Sequence, residues 1–277
     1  MNYQIAADSS SNVFSLEGAS YAHVPLKIIA GDQEYVDTPS LDVFAMLEDL
    51  KSVKDGGTTS CPNAYEWRQA FGDADGVFAV TITSALSGSW AAANQARQDY
   101  EAAHPGARVS VIDTLSVGPE TQLVLEKLRD LIQSGLDFDA IDREIREYLG
   151  RTHMVFFLES LENMARNGRV SPAVAKLVGV LGIRIVCRAS QQGTLEPIHK
   201  CRGEKKALAA MYQDMKDHGY VGGRVRIHHC LNLGAAVALK EMILADHPDA
   251  DVQLGACTGL CSYYAQQGGV LVGYEEA

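Results

Sequence analysis

In the stretch Val80-Thr81-Ile82-Thr83-Ser84-Ala85-Leu86-Ser87-Gly88-Ser89-Trp90, a run of β-branched residues passes into a cluster of hydroxyls and then into a series of helix formers. Before it, Gly72-Asp73-Ala74-Asp75-Gly76 supplies a turn, and the apolar run from Gly76 to Thr83 predicts a strand buried in a parallel sheet. After it, Trp90 to Ala103 is rich in Ala, Gln and Glu and is stopped by His104-Pro105-Gly106, which predicts a helix. Ser84, Ser87, Gly88 and Ser89 therefore fall at the amino end of that helix. Unpaired N–H groups and the positive pole of the helix dipole gather there and attract a carboxylate or a phosphate. Three readings of the cluster stand side by side: N-capping, which needs only one of the three hydroxyls, an anion site, and a nucleophilic serine.

Working outward, Tyr3 to Ala7 reads as a first strand ending in Asp8-Ser9-Ser10-Ser11-Asn12. Polar residues at the carboxyl end of a parallel strand either line the ligand crevice of an open sheet or simply make a turn. Val24 to Ala30 and Gln33 to Asp37 straddle Gly31-Asp32 as a hairpin, and Ser40 to Leu50 reads as a capped helix. Lys54 to Asn63 is a loop dense in glycine and hydroxyls that leads into a helix, Ala64 to Phe71. It is a second hydroxyl-rich helix start, and two such ends meeting would make an oxygen-binding site. Arg108 to Asp113 is a further buried strand, followed by helices Pro119 to Ser134 and Phe138 to Leu149, the latter with Ile141, Ile145, Tyr148 and Leu149 on one stripe. This alternation predicts an α/β domain with a parallel-type sheet over residues 1–151, carrying a small hairpin-containing insertion near 20–55.

From about Thr152 the order changes. Met154 to Leu158 reads as a strand, Leu161 to Asn167 and Pro172 to Leu181 as helices, and Ile183 to Arg188 with Thr194 to His199 as a hairpin across Gln191-Gln192-Gly193. Helices Gly203 to His218 and Leu233 to Ala245 then alternate with strands Arg224 to His229, Val252 to Gly255 and Gly269 to Tyr274. Adjacent strands beside alternating ones predict a second, α+β domain over 152–277 with a mixed or antiparallel sheet.

The chain has 277 residues, 47% of them hydrophobic, enough for two ordinary domains. Its net charge of −11 excludes a general nucleic-acid binder, which needs a basic stripe to neutralise phosphates. The amino terminus lacks the cationic start and apolar core of a signal peptide. The longest apolar runs are too short to cross a bilayer, so stable membrane insertion is not expected. Six cysteines, Cys61, Cys187, Cys201, Cys230, Cys257 and Cys261, are scattered without a targeting segment, which predicts reduced thiols and a cytoplasmic location. Cys257 and Cys261 have no partners to complete a zinc set, so no metal is expected. Neither Gly-x-Gly-x-x-Gly nor a Gly-Lys-Ser/Thr loop is present, and the serines do not form Gly-x-Ser-x-Gly. His228 and His229 are neighbours on a strand, point to opposite faces, and read as structural or surface residues.

Asp8-Ser9-Ser10, Thr59-Ser60-Cys61-Pro62, the Ile82 to Ser89 segment and Val111-Ile112-Asp113-Thr114-Leu115-Ser116 follow one another as the landmarks of the DegV family do. So do Leu161-Glu162-Asn163-Met164-Ala165-Arg166-Asn167-Gly168-Arg169-Val170 and Arg202-Gly203-Glu204-Lys205-Lys206-Ala207-Leu208. On these motifs the chain resembles DegV family proteins from about Ile5 to about Gly273. The resemblance implies a DegV-like two-domain α/β fold with a long-chain fatty acid in a tunnel between the domains. It implies no cofactor and no catalysis by the protein itself. The bound acid is instead delivered to a separate ATP-using fatty acid kinase, which makes acyl phosphate for phospholipid synthesis.

The carboxylate neighbourhood implied in this way is Thr59, Ser60, Ser84, Ser87, Gly88, Cys257 and Thr258. Thr59 matches the family's head-group threonine, and Ser84 or Ser87 its head-group serine. The chain departs from the family at Cys257-Thr258-Gly259-Leu260-Cys261, where a His-Thr-Gly-Pro-Gly type segment is usual; a thiol is a weaker donor than an imidazole. Cys61 stands where glutamine is usual, and the Ser60 to Val80 connection is shorter. Arg169, Arg202, Lys205 and Lys206 are implied to face the kinase. The last three also begin a helix, where cations oppose the dipole, so their alternative is a solvated helix start. The rival reading is a hydrolase or transferase acting on an acyl or phosphorylated metabolite, with Ser87 or Cys257 as nucleophile.

Overall fold

A computed structural model of the protein describes residues 1–53, 56–171, 174 and 182–276. Strand β1 (Tyr3–Asp8) pairs in parallel with β2 (Tyr21–Val24). The hairpin of β3 (Lys27–Ala30) and β4 (Gln33–Val36) turns at Gly31, which takes φ +63°, a conformation that suits glycine. After α1 (Val43–Ser52), capped by the Asp42 carboxylate, β5 (Thr58–Ser60) pairs antiparallel with β3, giving a three-stranded sheet in the order β4-β3-β5. The sequence predicts a loop at β5 and does not single out β2. Glycines and hydroxyls mark turns, yet Thr58 and Thr59 are β-branched and take the free edge of β3.

Helix α2 (Ala64–Phe71), with an Asn63/Glu66 capping box, leads to β6 (Gly76–Thr81), every residue of which is buried. Helix α3 (Ser89–Ala103) and β7 (Arg108–Asp113) complete a four-stranded parallel sheet, β2-β1-β6-β7. Alternation along β6 explains its burial on both faces. Val77 and Ala79 pack with Trp67, Phe71 and Tyr100 from α2 and α3. Phe78 and Val80 pack with Leu123, Ile141 and Ile145 from α4 (Pro119–Gln133) and α5 (Phe138–Leu149).

The remaining chain builds a mixed six-stranded sheet. It comprises β8 (Thr152–Leu158), the short α6 (Glu162–Arg166), β9 (Ile183–Ala189), β10 (Leu195–Arg202), α7 (Glu204–Asp217), β11 (Val225–His229), α8 (Leu233–Asp246), β12 (Val252–Ala256), α9 (Gly259–Ala265) and β13 (Val270–Glu275). The strand order is β10-β9-β8-β13-β11-β12, and only β11 and β12 run parallel. Helices α7 and α8 cover one face around Met211, Met215, Leu239 and Ile243. Helix α9 is not anticipated by the sequence, and the helix expected over Pro172 to Leu181 lies outside the described residues.

Helix α4 lies against this sheet as well as the first. A Cβ on Gly273 of β13 would overlap the backbone of Glu120, so the helix start sits flush on the strand. A buried chain of polar groups fixes the contact. Arg226 of β11 donates to both carboxylate oxygens of Glu126 on α4, through Nη2 at 2.6 Å and Nε at 2.8 Å, and Nη2 also pairs with Asp251 at 2.7 Å. His228 contacts Gln122 Oε1 through Nε2 at 2.7 Å and Asn12 Nδ2 through Nδ1 at 2.8 Å. Gln122 in turn donates to Glu126, so its oxygen must accept from His228, which fixes the imidazole as the neutral Nε2–H form. Burial pushes His228 down to about 3, in keeping with a neutral ring. The sequence reading of His228 as structural agrees with this placement.

Candidate functional site

The serines around the start of α3 have separate employments. Asp8 at the end of β1 is buried and accepts from Ser10 Oγ (2.5 Å), Ser89 Oγ (2.6 Å) and the Ile82 N–H (3.0 Å). Burial raises its carboxyl above the ordinary value while those hydrogen bonds oppose the rise. Ser9 Oγ accepts the Leu26 N–H. The Asp8-Ser9-Ser10 landmark is therefore a buried clasp between loops. Ser84 is exposed, and its N–H is taken by Asp113 at 3.1 Å. Helix α3 starts at Ser89, with Gly88 in the capping position and no side-chain cap. Of the three serines, Ser87 alone turns to a cavity.

That cavity has a volume of about 330 Å³. Ser87 and Gly88 border it on one side, and Thr59, Ser60 and Cys61 on another. A Cβ placed on Gly88 would lie 3.2 Å from Cys61 Sγ, so the two hydroxyl-rich helix starts do meet. Thr59 Oγ1 is 2.8 Å from the Tyr264 hydroxyl, and Tyr264 also lines the cavity. Arg169 lines it too: Nε donates to Leu86 O at 3.3 Å and Nη1 to Asn167 O. This half-buried guanidinium has no carboxylate partner among the described residues. Arg169, expected to face the kinase, therefore lies at the cavity, held by the Leu86 and Asn167 carbonyls. The rest of the wall is largely aliphatic and aromatic, including Ile82, Met154, Phe156, Leu158 and Leu271. The β9–β10 hairpin closes part of it, where the Thr83 hydroxyl donates to Gly193 O at 2.9 Å.

Cys257 and Thr258 do not line the cavity; Leu260 and Cys261 do. Asp37, just after β4, caps α9, accepting the N–H of Gly259 at 2.7 Å and of Leu260 at 2.9 Å. Thr258 Oγ1 lies 2.9 Å from Asn12 Oδ1 and 3.2 Å from Asp37 Oδ2, and the Thr258 N–H donates to Asn12. Thr258, which the resemblance assigns to an external carboxylate, thus has its N–H on Asn12 and its hydroxyl between Asn12 and Asp37. Cys257 is buried, and desolvation pushes its thiol well above the usual range. A protonated thiol outside the cavity is a poor nucleophile. Ser87 Oγ accepts the Ser89 N–H at 3.3 Å and has no imidazole partner among the described residues. Arg202, Lys205 and Lys206 are exposed where α7 begins.

Tyr264 is a cavity residue that the sequence does not reveal, since Tyr263-Tyr264 carries no spacing signal of its own. Among the described residues, no group of three or more His, Cys, Asp or Glu could hold a metal ion. No described helix is long and apolar enough to cross a membrane.

Fold and cavity together define an α/β protein with a parallel sheet and a mixed sheet and a largely apolar cavity whose wall also carries hydroxyls and one guanidinium. The DegV family model matches residues 2–276, and the chain belongs to the DegV family. It is 39% identical to a DegV domain-containing protein of Streptococcus pneumoniae over 99% of both chains. A DegV family protein from Eubacterium eligens loaded with heptadecanoic acid has 41% sequence identity and a TM-score of 0.96, over 99% of this chain and 100% of that one. The Streptococcus pneumoniae fatty acid kinase B3 protein loaded with linoleic acid has 38% identity and a TM-score of 0.98, over 100% of both.

Proposed function

We propose that this protein binds a long-chain fatty acid in the 330 Å³ cavity and presents its carboxylate to a separate fatty acid kinase, with no chemistry of its own. The observation that carries the reading is the cavity's composition: a largely apolar wall that includes the donors Thr59, Ser87 and Arg169 with no internal carboxylate on them among the described residues. Gly88 and Ser60 border that cluster, whereas Ser84, Cys257 and Thr258 are dropped from the head-group set. A ligand of this shape has an anionic head and a long apolar tail. For ~16 carbons at ~0.8 kcal/mol per buried methylene, the gross tail term is ~12 kcal/mol before ordering costs. The tail supplies affinity; the head fixes orientation. The fatty acids carried by the Eubacterium eligens and Streptococcus pneumoniae relatives support the same ligand class here.

In this reading residues 1–151 and 152–277 form two domains with the tunnel between them, and the protein works in the cytoplasm. Arg202, Lys205 and Lys206 contribute to the kinase-facing surface, where their exposure leaves them available. The test is to purify the protein natively, extract it with organic solvent and identify the extract by mass spectrometry. A near-stoichiometric fatty acid is expected, with retention weakened in Thr59→Val and Ser87→Ala variants that remain folded. A lipid-free protein that also fails to take up palmitate or oleate would refute the proposal.

A further inference from the structure

We propose that Tyr264 is the positioning residue of the head-group site: it donates its hydroxyl proton to Thr59 Oγ1 and so aims the Thr59 proton at the bound carboxylate. The inference rests on the fatty-acid reading of the cavity and deepens it.

Two cavity-lining hydroxyls 2.8 Å apart share one hydrogen bond, and either oxygen can be the donor. A carboxylate removes that freedom. It accepts only, so an oxygen reaching Thr59 must receive the threonine proton, and the phenol must then point at Thr59. Hydrogen bonds in such a chain polarise one another, so the second bond strengthens the first. Burial raises the Tyr264 phenol above its ordinary value, so it keeps the proton it has to give.

The surroundings hold Tyr264 to this task. Its neighbour Tyr263 packs edge-on against it with ring centroids 4.8 Å apart. The Tyr263 hydroxyl lies 2.9 Å from Gly56 O and 2.8 Å from Gly57 O, on the segment that runs directly into β5, and it accepts from Asn167 Nδ2. Tyr263 thereby fixes α9 against β5 so that Tyr264 stands opposite Thr59. At its amino end the same helix is tied to Asp37, which consumes the backbone donors there. Cys257 is sequestered in the apolar core. The α9 segment therefore offers the head group one polar side chain at the Thr59 position, and it is Tyr264.

The experiment compares affinities for palmitate and for hexadecanol in the wild-type protein, Tyr264→Phe, Thr59→Val and the double variant. An alcohol can donate to Thr59 as readily as accept from it, so it has no need of the relay. Removing one such bond is expected to weaken palmitate about three- to tenfold, while hexadecanol changes less than about twofold and the double variant is no worse than Thr59→Val alone. Equal weakening of acid and alcohol, or a further loss when Tyr264→Phe is added to Thr59→Val, would mean that Tyr264 acts by packing and would overturn the proposal. A wild-type protein that takes up hexadecanol and palmitate equally poorly would overturn the fatty-acid reading itself.

Discussion

Gly193, at the tip of the β9–β10 hairpin, is a cavity-wall position where a side chain has no room. Its φ of +72° costs an L-residue about 1–2 kcal/mol. A Cβ there would overlap the Thr83 hydroxyl and come within 3.2 Å of the Leu115 backbone, which cannot give way as a flexible side chain would. The tip must lift, and with it goes the Thr83–Gly193 hydrogen bond, about 1 kcal/mol net. Gly193→Ala therefore shifts the balance between docked and lifted hairpin by about 2–3 kcal/mol, or about 30- to 150-fold. Because Gly193, Thr194 and Leu195 all line the cavity, the loss is expected to show first as faster ligand release. Stopped-flow displacement of a fluorescent fatty acid measures the release rate, and thermal unfolding measures the rest of the fold, where only a few degrees should be lost. Adding Thr83→Ala removes the hydroxyl overlap but leaves the Leu115 backbone in place, so recovery should be partial. A release rate within about twofold of wild type in Gly193→Ala would refute the idea that the docked tip closes the cavity.

Asp37→Ala leaves the Gly259 and Leu260 N–H groups without their acceptor, while the Thr258 hydroxyl keeps Asn12, and urea unfolding should read a loss of about 3 kcal/mol; less than about 1 would mean that the cost of burying the carboxylate cancels its bonds. Glu126→Gln strips the buried Arg226 of its charged partner on α4 and leaves only the half-exposed Asp251, at a cost of about 3 kcal/mol by the same measurement. His228 is held near 3 in the fold against 6.5 when free, so between those values the unfolded chain binds more protons and stability falls as pH drops below about 6.5. Relative to a His228→Gln variant, which lacks this dependence, the wild-type protein should lose about 1.6 kcal/mol from pH 6.5 to pH 5. The comparison with the variant matters because burial raises Asp8, Asp37 and Glu120 in the fold, and their contribution has the opposite sign. Parallel titrations of the two proteins would refute the assignment.

How far the sequence could be read depends on how far away the partner of each residue lies. The identity of β6 needs only its own residues, because Val77 and Ala79 alternate with Phe78 and Val80 and both sets find cover. The hydroxyl junctions at Ser87 and Thr59 are legible for the same reason, and they do converge on one cavity. Which hydroxyl is free is not legible. Ser89 is claimed by Asp8 and the Ser84 amide by Asp113, 81 and 29 positions away. The Gly259 amide is claimed by Asp37, 222 positions away. Each remote carboxylate arrives at a place where local sequence suggests an empty anion site, and fills it. Cys257 and Thr258, expected beside the head group, do not line the cavity. Ser87, Thr59, Tyr264 and Arg169 line the cavity with no internal carboxylate upon them among the described residues. In the fatty-acid reading proposed above, these four groups are the ones left to meet an anion that comes from outside with an apolar tail attached.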